Sequence, residues 1–107
     1  MREVTEVAVG VLIDKEGRFL MASRPQGKPY AGWWEFPGGK QEAGEAVTEA
    51  LSREYAEELG VKVKKATPWF VFEREYPHAY VRLHFCRIVD WEGQPQPREG
   101  QTFQWFE

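Results

Sequence analysis

Apolar and polar residues follow two different periods along this chain, and the longer period marks one helix. Apolar side chains recur at steps of three and four over residues 45–59, the period of an amphipathic helix. Gly60 follows where a left-handed residue would cap the helix, and Val61 supplies the apolar partner that such a cap often has. The pattern predicts a single helix that ends at Leu59.

The N-terminal third favours extended structure instead. Alternating valines precede a polar turn at residues 14–17, and an extended pattern resumes at residues 19–22, which together predict a hairpin. Residues 33–36 predict a short strand. We expect residues 37–39, Pro-Gly-Gly, to end that strand, because proline removes a ladder donor and glycine permits unusual dihedral angles.

The C-terminal half predicts further strands and no second helix. Strands are expected at residues 68–72, 80–89 and 102–106, and apolar and polar positions alternate in the second and third of these. Within the second of these, one face should be buried, and its members are Val81, Leu83 and Phe85. The elements together predict one α/β domain over residues 1–107, built on a mixed sheet.

Composition fits a globular domain and removes several classes of protein. The chain has 107 residues, of which 42% are hydrophobic and 29% charged. Its longest apolar run, residues 7–13, is too short to span a bilayer, and no export signal is visible at the start. A lone cysteine, Cys86, fits a reducing compartment. We therefore expect a cytoplasmic protein that inserts in no membrane.

Charge points to a small ligand and away from a nucleic-acid polymer. The net charge of −3 offers no broad electrostatic attraction to a phosphate backbone, so any phosphate ligand must be held locally. Residues 24–32 form a predicted irregular loop rich in proline and glycine, with the cations Arg24 and Lys28. That loop is a candidate ligand contact. His78 and His84 are expected to be turn and strand residues without a catalytic role.

Three glutamates share one face of the predicted helix. Glu54, Glu57 and Glu58 are three and four residues apart, so their side chains should converge. Like charges at this spacing weaken a helix by about 0.2–0.5 kcal/mol per pair. Either the face is solvated and the repulsion is screened, or the carboxylates bind a hard divalent cation together with a phosphate substrate. The triplet alone leaves both interpretations open.

The residues around the triplet carry a resemblance to a known family. Seven positions match the fixed residues of the Nudix hydrolase signature in spacing and type, namely Gly39, Glu45, Arg53, Glu54, Glu57, Glu58 and Gly60. Tyr55 and Val61 occupy its hydrophobic positions, although Tyr55 is larger than the aliphatic residue usual there. The chain is therefore similar to Nudix hydrolases.

The resemblance implies a fold and a metal site. The fold would be a Nudix-like α/β/α sandwich around a mixed β-sheet, although the usual C-terminal helix is not visible in this sequence. Glu54, Glu57, Glu58 and the carbonyl of Gly38 would hold Mg²⁺, for which Mn²⁺ could substitute, and Glu99 would be a further metal carboxylate. Arg53 could hold Glu45 in a bidentate fork.

Several segments look specifically like the MutT branch, which hydrolyses oxidised guanine nucleotides. The resemblance implies that five residues contact the substrate, namely Arg24, Phe36, Gly39, Lys40 and Tyr76. The asparagine that reads the oxidised guanine in that branch has no counterpart, because the sequence contains no asparagine. Base selectivity therefore stays open.

A reaction follows from the resemblance, with Glu45, Arg53, Glu54, Glu57 and Glu58 as the catalytic set. A nucleoside triphosphate such as 8-oxo-dGTP would yield a monophosphate and pyrophosphate, with water activated by Glu54 or by the metal. Two alternatives remain: another nucleoside diphosphate-X substrate such as ADP-ribose or a dinucleotide, and a catalytically silent nucleotide-sensing domain. A monomer is favoured.

Overall fold

The computed structural model describes residues 3–24, 27, 32–77 and 79–107. Seven strands and one helix lie within these residues. In chain order they are β1 (Val4–Leu12), β2 (Phe19–Ser23), β3 (Trp34–Glu35), β4 (Gly38–Lys40), α1 (Val47–Leu59), β5 (Lys62–Tyr76), β6 (Ala79–Glu92) and β7 (Thr102–Phe106).

The strands form two sheets. The larger has the order β4-β1-β6-β5, in which β1 runs parallel to β6 and antiparallel to β4. The smaller has the order β3-β2-β7 and is antiparallel throughout. The mixed sheet predicted from the sequence is confirmed, and a second, three-stranded sheet accompanies it. In the parts of the chain that are described, no helix is long and apolar enough to cross a membrane.

Helix α1 begins two residues later than its apolar period suggests. Ala46 is extended, with φ −78° and ψ 160°, so the helical backbone starts at Val47. The Glu49 carboxylate accepts a hydrogen bond from the Ala46 N–H at 2.8 Å, which satisfies one free donor at the helix start. At the other end Gly60 has φ 70° and its N–H donates to a carbonyl of the last turn at 3.1 Å. The predicted glycine cap is confirmed.

The core lies between α1 and one face of the larger sheet. Fully buried side chains meet there from the helix and from β1 and β6, and they include Leu51, Tyr55, Leu59, Ala8, Leu12, Cys86 and Ile88. Burial removes these apolar surfaces from water and fixes the helix against the sheet. The acidic residues of α1 are thereby held in a fixed position beside β4.

Tyr55 makes a polar connection inside this core. Its hydroxyl donates to the Gly10 carbonyl at 2.7 Å, and the Pro37 carbonyl lies 3.3 Å away. A Cβ on Gly10 would lie 2.5 Å from the Tyr55 hydroxyl, so the glycine makes room for the ring. The large residue at this hydrophobic position thus joins α1 to β1 and to the segment that leads into β4.

The predicted hairpin between β1 and β2 is wrong. The turn itself forms, since the Asp14 carboxylate accepts from the N–H groups of Glu16 and Arg18 at 2.9 Å each. Beyond it only Ile13 and Phe19 form a bridge. β1 is already paired on both edges, with β4 and β6, so β2 has no free edge to join and enters the other sheet.

One further expectation is confirmed and another needs correction. Strand β3 ends at Glu35, before Pro37, as expected, and the glycines at 38 and 39 then form a separate strand, β4, on the edge of β1, where a Cβ on Gly38 would lie 2.1 Å from the Ala8 carbonyl oxygen. The face of β6 that is fully buried carries Cys86 and Ile88, because α1 covers that side, whereas residues 81, 83 and 85 are only partly buried. Lys28 and His78 lie outside the described residues.

Candidate active site

Arg53 organises the acidic residues near the start of α1. Its Nε and Nη2 donate to the two oxygens of Glu45 at 2.7 and 3.0 Å, which is the bidentate fork expected from the sequence. Its Nη1 donates to Oε1 of Glu54 at 2.8 Å and lies 3.6 Å from Oε2 of Glu57. One guanidinium thus contacts four carboxylates, because its Nε also lies 3.7 Å from Oε1 of Glu42, and it fixes two of them by hydrogen bonds.

The charges of these carboxylates respond to that arrangement. Hydrogen bonds from Arg53, and then from the backbone N–H of Glu42, lower the pKa of Glu45 to about 2. Burial raises the pKa of Glu54, and the hydrogen bond and charge of Arg53 partly oppose that rise. Arg53 therefore keeps Glu45 ionised at any ordinary pH and favours the ionised form of Glu54.

The close approach of β4 explains why glycine stands at position 39. A Cβ there would lie 2.4 Å from Cδ and 2.6 Å from either oxygen of Glu54. The glycine therefore gives space to the Glu54 carboxylate. The next residue, Lys40, adds its carbonyl as an acceptor for Arg53 Nη2 at 3.1 Å.

Glu58 has a different environment from its neighbours. Burial, followed by the charges of Glu54, Glu99, Glu35 and Glu57, raises its pKa to about 8. Its Oε2 atom is buried and has no hydrogen-bond partner. A buried carboxylate oxygen without a donor is costly, so this atom is poised to meet a cation or a proton.

The three glutamates share a helix face but do not converge on one point. Within residues 3–24, 27, 32–77 and 79–107, no three acidic, imidazole or thiol side chains are already arranged around one point as metal ligands. Arg53 instead donates to Oε1 of Glu54 and lies 3.6 Å from Oε2 of Glu57. The convergence predicted from helix spacing is therefore not observed.

These residues still fit a divalent cation of the kind the resemblance implies. Mg²⁺ commonly takes only one or two protein carboxylates and completes its shell with waters and substrate phosphates. The unpartnered Oε2 of Glu58 is the donor that such an ion would satisfy. The hard oxygen chemistry of the surrounding groups is also that of a Mg²⁺ or Mn²⁺ site.

A cleft of about 880 Å³ lies between the two sheets and reaches these carboxylates. Four of the five predicted substrate residues line it, namely Arg24, Phe36, Gly39 and Lys40. The predicted metal residues Gly38, Glu58 and Glu99 line it as well. The structure thus brings the expected substrate contacts and part of the acidic set to one cavity.

Tyr76 is the exception among the predicted substrate contacts. It is not among the described residues that line the cleft; it ends β5, with the Arg74 guanidinium 5.3 Å from its ring centroid. Within β5, the ring of Phe70 stacks at 4.5 Å on that of Phe85, which does line the cleft.

Two cleft features were not recognised in the sequence. Glu35 places a carboxylate in the cleft and pairs with Arg24 at 3.2 Å, and Gln101 lies beside Glu58 and Glu99. The ion pair joins β3 to the end of β2, which only the strand pairing reveals. The sequence predicted a strand at residues 33–36 and a MutT-like segment at residues 99–101, but neither gave Glu35 or Gln101 a role in the cleft.

The aromatic residue Phe36 serves both the core of the small sheet and the cleft. Its ring lies 5.8 Å from Phe19 in a tilted pair and 6.3 Å from Phe85 in an edge contact. Such contacts stabilise the junction between the two sheets. Phe36 also lines the cavity, so its position supports the sequence prediction without excluding a structural role.

With its fold and site described, the chain can be compared with known proteins. Residues 4–107 match the family model described as NUDIX domain, and the chain belongs to this family. Nudix hydrolases are generally dependent on a divalent metal ion. The α/β fold with a mixed sheet and one helix is the fold expected of that family.

Individual relatives extend the comparison. The chain is 36% identical over 106 residues to the 8-oxo-dGTP diphosphatase of Haemophilus influenzae, covering 99% of this chain and 78% of that protein. It is 36% identical over 97 residues to the CTP pyrophosphohydrolase of Escherichia coli, covering 91% and 72%. A structure from a study of MutT from Aliivibrio salmonicida and Vibrio cholerae matches with a TM-score of 0.85 at 31% identity, covering 98% and 81%.

Proposed function

We propose that this protein is a Mg²⁺-dependent nucleoside triphosphate pyrophosphohydrolase that converts 8-oxo-dGTP to its monophosphate and pyrophosphate. The observation that carries the proposal is the buried, unpartnered Oε2 of Glu58 at the edge of a cleft that also holds Arg24. A cation at Glu58 and a base in the cleft would place the triphosphate between them. Similarity to 8-oxo-dGTP diphosphatases supports this choice of substrate.

The acidic residues would hold the metal and the attacking water. Glu58, Glu54, Glu57, Glu99 and the Gly38 carbonyl are the proposed ligands. When bound, the ion neutralises phosphate charge and lowers the pKa of water. Arg53 occupies Oε1 of Glu54, so Oε2 is the oxygen proposed to accept the proton of the attacking water. The water oxygen then bonds to the second phosphorus as the bond from that phosphorus to the bridging oxygen breaks, so the nucleoside monophosphate leaves with the bridging oxygen and pyrophosphate carries the water oxygen.

The cleft residues would bind the rest of the nucleotide. Arg24 and Lys40 supply positive charge along the cavity, and Phe36 offers an apolar ring beside the base. Arg53 and Glu45 keep the helix carboxylates in place without touching the phosphates. The protein needs no covalent nucleophile in this scheme. A cytoplasmic, monomeric enzyme of the nucleotide pool is part of the same proposal.

A nucleotide panel tests the proposal directly. Chelator-treated protein is supplied with Mg²⁺ or Mn²⁺ and with 8-oxo-dGTP, dGTP, CTP or ADP-ribose, and the products are separated. We expect monophosphate and pyrophosphate, with turnover only when metal is added. Reaction in ¹⁸O-labelled water should place the label in pyrophosphate, because attack at the second phosphate is the habit of the MutT branch. No hydrolysis by folded protein, or cleavage of ADP-ribose alone, would contradict the assignment.

CTP is a second candidate substrate, and one finding favours it. The relative named CTP pyrophosphohydrolase is as similar, at 36% identity, as the Haemophilus influenzae 8-oxo-dGTP diphosphatase. The two candidates share the phosphate chemistry and differ only in the base. A kcat/KM for CTP above that for 8-oxo-dGTP would therefore move the assignment to CTP and leave the metal site unchanged.

A further inference from the structure

The segment between β6 and β7 is attached to the C-terminal end of α1. The last carbonyls of a helix have no partner inside the helix and need donors from elsewhere. Here the N–H of Gln96 donates to the Leu59 carbonyl at 2.9 Å, and the N–H of Arg98 donates to the Glu58 carbonyl at 3.2 Å. The segment therefore follows the helix end closely and carries Glu99 to the cleft.

The side-chain amide of Gln101 both accepts and donates a hydrogen bond in this region. The Oε1 atom of Gln101 accepts from the Glu99 N–H at 2.8 Å, and its Nε2 donates to the Glu58 carbonyl at 3.3 Å. The amide thus connects the backbone of Glu99 to the backbone of Glu58. Gln101 is half-buried and lines the same cleft as both glutamates.

Glu99 needs such a restraint because it stands among like charges. Its carboxylate lines the same cleft as those of Glu58 and Glu35, and like charges in one cavity repel one another. The Glu99 side chain is exposed, on a segment held to the helix by few hydrogen bonds. Without an attachment at its own backbone, repulsion would move it outward.

A primary amide suits this position better than any charged group. It offers a donor and an acceptor at once and adds no charge to the acidic cluster. A glutamate would keep the acceptor for Glu99 but lose the donor to Glu58 and add negative charge. A leucine of similar size would lose both hydrogen bonds.

We propose that Gln101 is a positioning residue that holds the Glu99 carboxylate against Glu58 at the edge of the cleft. The inference rests on the proposed function, because the purpose of the placement is to present Glu99 to a phosphate-bound cation. Gln101 itself touches neither substrate nor metal in this scheme. It acts through Glu99.

Amide hydrogen exchange measures the attachment without any turnover. Gln101→Leu should speed exchange of the Glu99 N–H by about fivefold, the loss expected for one hydrogen bond. Gln96→Ala is the matched control, since its bond to Leu59 uses the backbone and survives the change. Equal exchange in Gln101→Leu and wild type would overturn the proposal.

A double-mutant cycle then asks whether Gln101 acts through Glu99. Gln101→Leu should lower kcat by about tenfold and raise the Mg²⁺ concentration needed for half-maximal rate. In a Glu99→Gln background the same change should have no further effect. Losses that simply multiply would show an independent structural role and overturn the proposal.

The two measurements also separate this inference from the proposed function. Wild-type protein that hydrolyses no nucleotide would refute the proposed function, whereas the exchange result would still decide whether Gln101 attaches Glu99. If Gln101→Leu does not fold, Gln101→Ala replaces it in the exchange experiment and Gln101→Glu replaces it in the kinetic one. That variant should raise the Mg²⁺ requirement, because it loses the donor to Glu58, and an unchanged requirement would count against the proposal.

Discussion

The two ends of the acidic face on α1 have opposite electrostatic settings. Toward the helix start, Arg53 is bonded to Glu45 and Glu54, and every charge there has a partner. One turn further on, Glu58 is half-buried, has acidic neighbours and leaves Oε2 without a donor. The same residue type on the same helix is thus paired at one end and unpaired at the other.

The pKa values make the contrast plain. Hydrogen bonds from Arg53 lower the pKa of Glu45 to about 2, whereas burial raises the pKa of Glu58 to about 8. At neutral pH the lowered pKa of Glu45 stabilises the folded protein, and the raised pKa of Glu58 destabilises it. The carboxylates at the paired end have their hydrogen-bond donors in the folded protein, whereas Oε2 of Glu58 at the unpaired end would gain a partner only from a cation. We therefore assign the function to the unpaired end.

The largest effect should come from neutralising the unpaired end. Glu58→Gln keeps the shape of the side chain and removes the charge, so Mg²⁺-dependent turnover should fall by at least about 100-fold. Steady-state kinetics on 8-oxo-dGTP would measure this. Glu92→Gln is the control, because Glu92 is exposed, pairs with Lys64 at 3.2 Å and is not among the described residues that line the cleft. Turnover within twofold of wild type in Glu58→Gln would contradict the assignment.

At the paired end, the effect on turnover should be smaller because Arg53 acts through the carboxylates. Arg53→Gln should lower kcat by about 10-fold to 100-fold, since Glu54 loses its donor and its fixed position. Arg53→Lys should recover only part of the loss, because lysine cannot form the fork. Arg18→Gln is the control, because Arg18 forms its ion pairs with Asp14 and Glu16 in the turn between β1 and β2. Full activity in Arg53→Lys would show that the fork is not needed.

The sequence was most informative where function depends on local spacing. The period of apolar residues located α1, Gly60 ended it, and the signature placed Arg53 within reach of Glu45. Each of these features is determined within one helix and its flanks. Local geometry was therefore enough to predict them.

Features that depend on distant partners were predicted less well. The turn at Asp14 formed as expected, but the pairing of β1 with β6, far along the chain, kept β2 from forming a hairpin. Glycines weaken strand propensity, so Gly38 gave no sign of β4, which exists because the backbone of β1 accepts it so closely. Likewise Gln101 gains its role only when its segment meets the end of α1.

Helix period also failed to distinguish the paired from the unpaired glutamates. Spacing put Glu54, Glu57 and Glu58 on one face, yet the position of Arg53 decides which of them receives a hydrogen bond. Burial against the sheet and the cleft decides which of them loses solvent. These are tertiary effects, and no local pattern reports them.

The stability of the protein at alkaline pH tests the raised pKa of Glu58 at the unpaired end, and it needs no substrate. In chelator-treated protein, folded Glu58 keeps its proton up to about pH 8, while the unfolded chain loses it near its ordinary value of 4.5. Glu58 therefore costs stability increasingly as pH rises through this window. Glu58→Gln should melt at a higher temperature than wild type at pH 8, with a smaller difference at pH 5. An equal difference at both pH values would contradict the raised pKa.

The smallest expected effect is on stability at acid pH. There Glu45 stabilises the folded protein, whereas Glu58 destabilises it at alkaline pH. Folded Glu45 stays ionised down to about pH 2, whereas the unfolded chain takes up its proton near pH 4.5. Its contribution to stability is thus present above pH 4.5 and is lost as pH falls toward 2. Glu45→Gln should lower the melting temperature at pH 6, and the two proteins should approach each other by pH 2 to 3. Thermal unfolding of both proteins across that range measures the difference, with Glu16→Gln as an exposed control. Because Arg53 is the first cause of the shift, Glu45→Gln in an Arg53→Gln background should change the melting temperature much less; an undiminished effect there would mean that the fork is not what separates the paired end from Glu58.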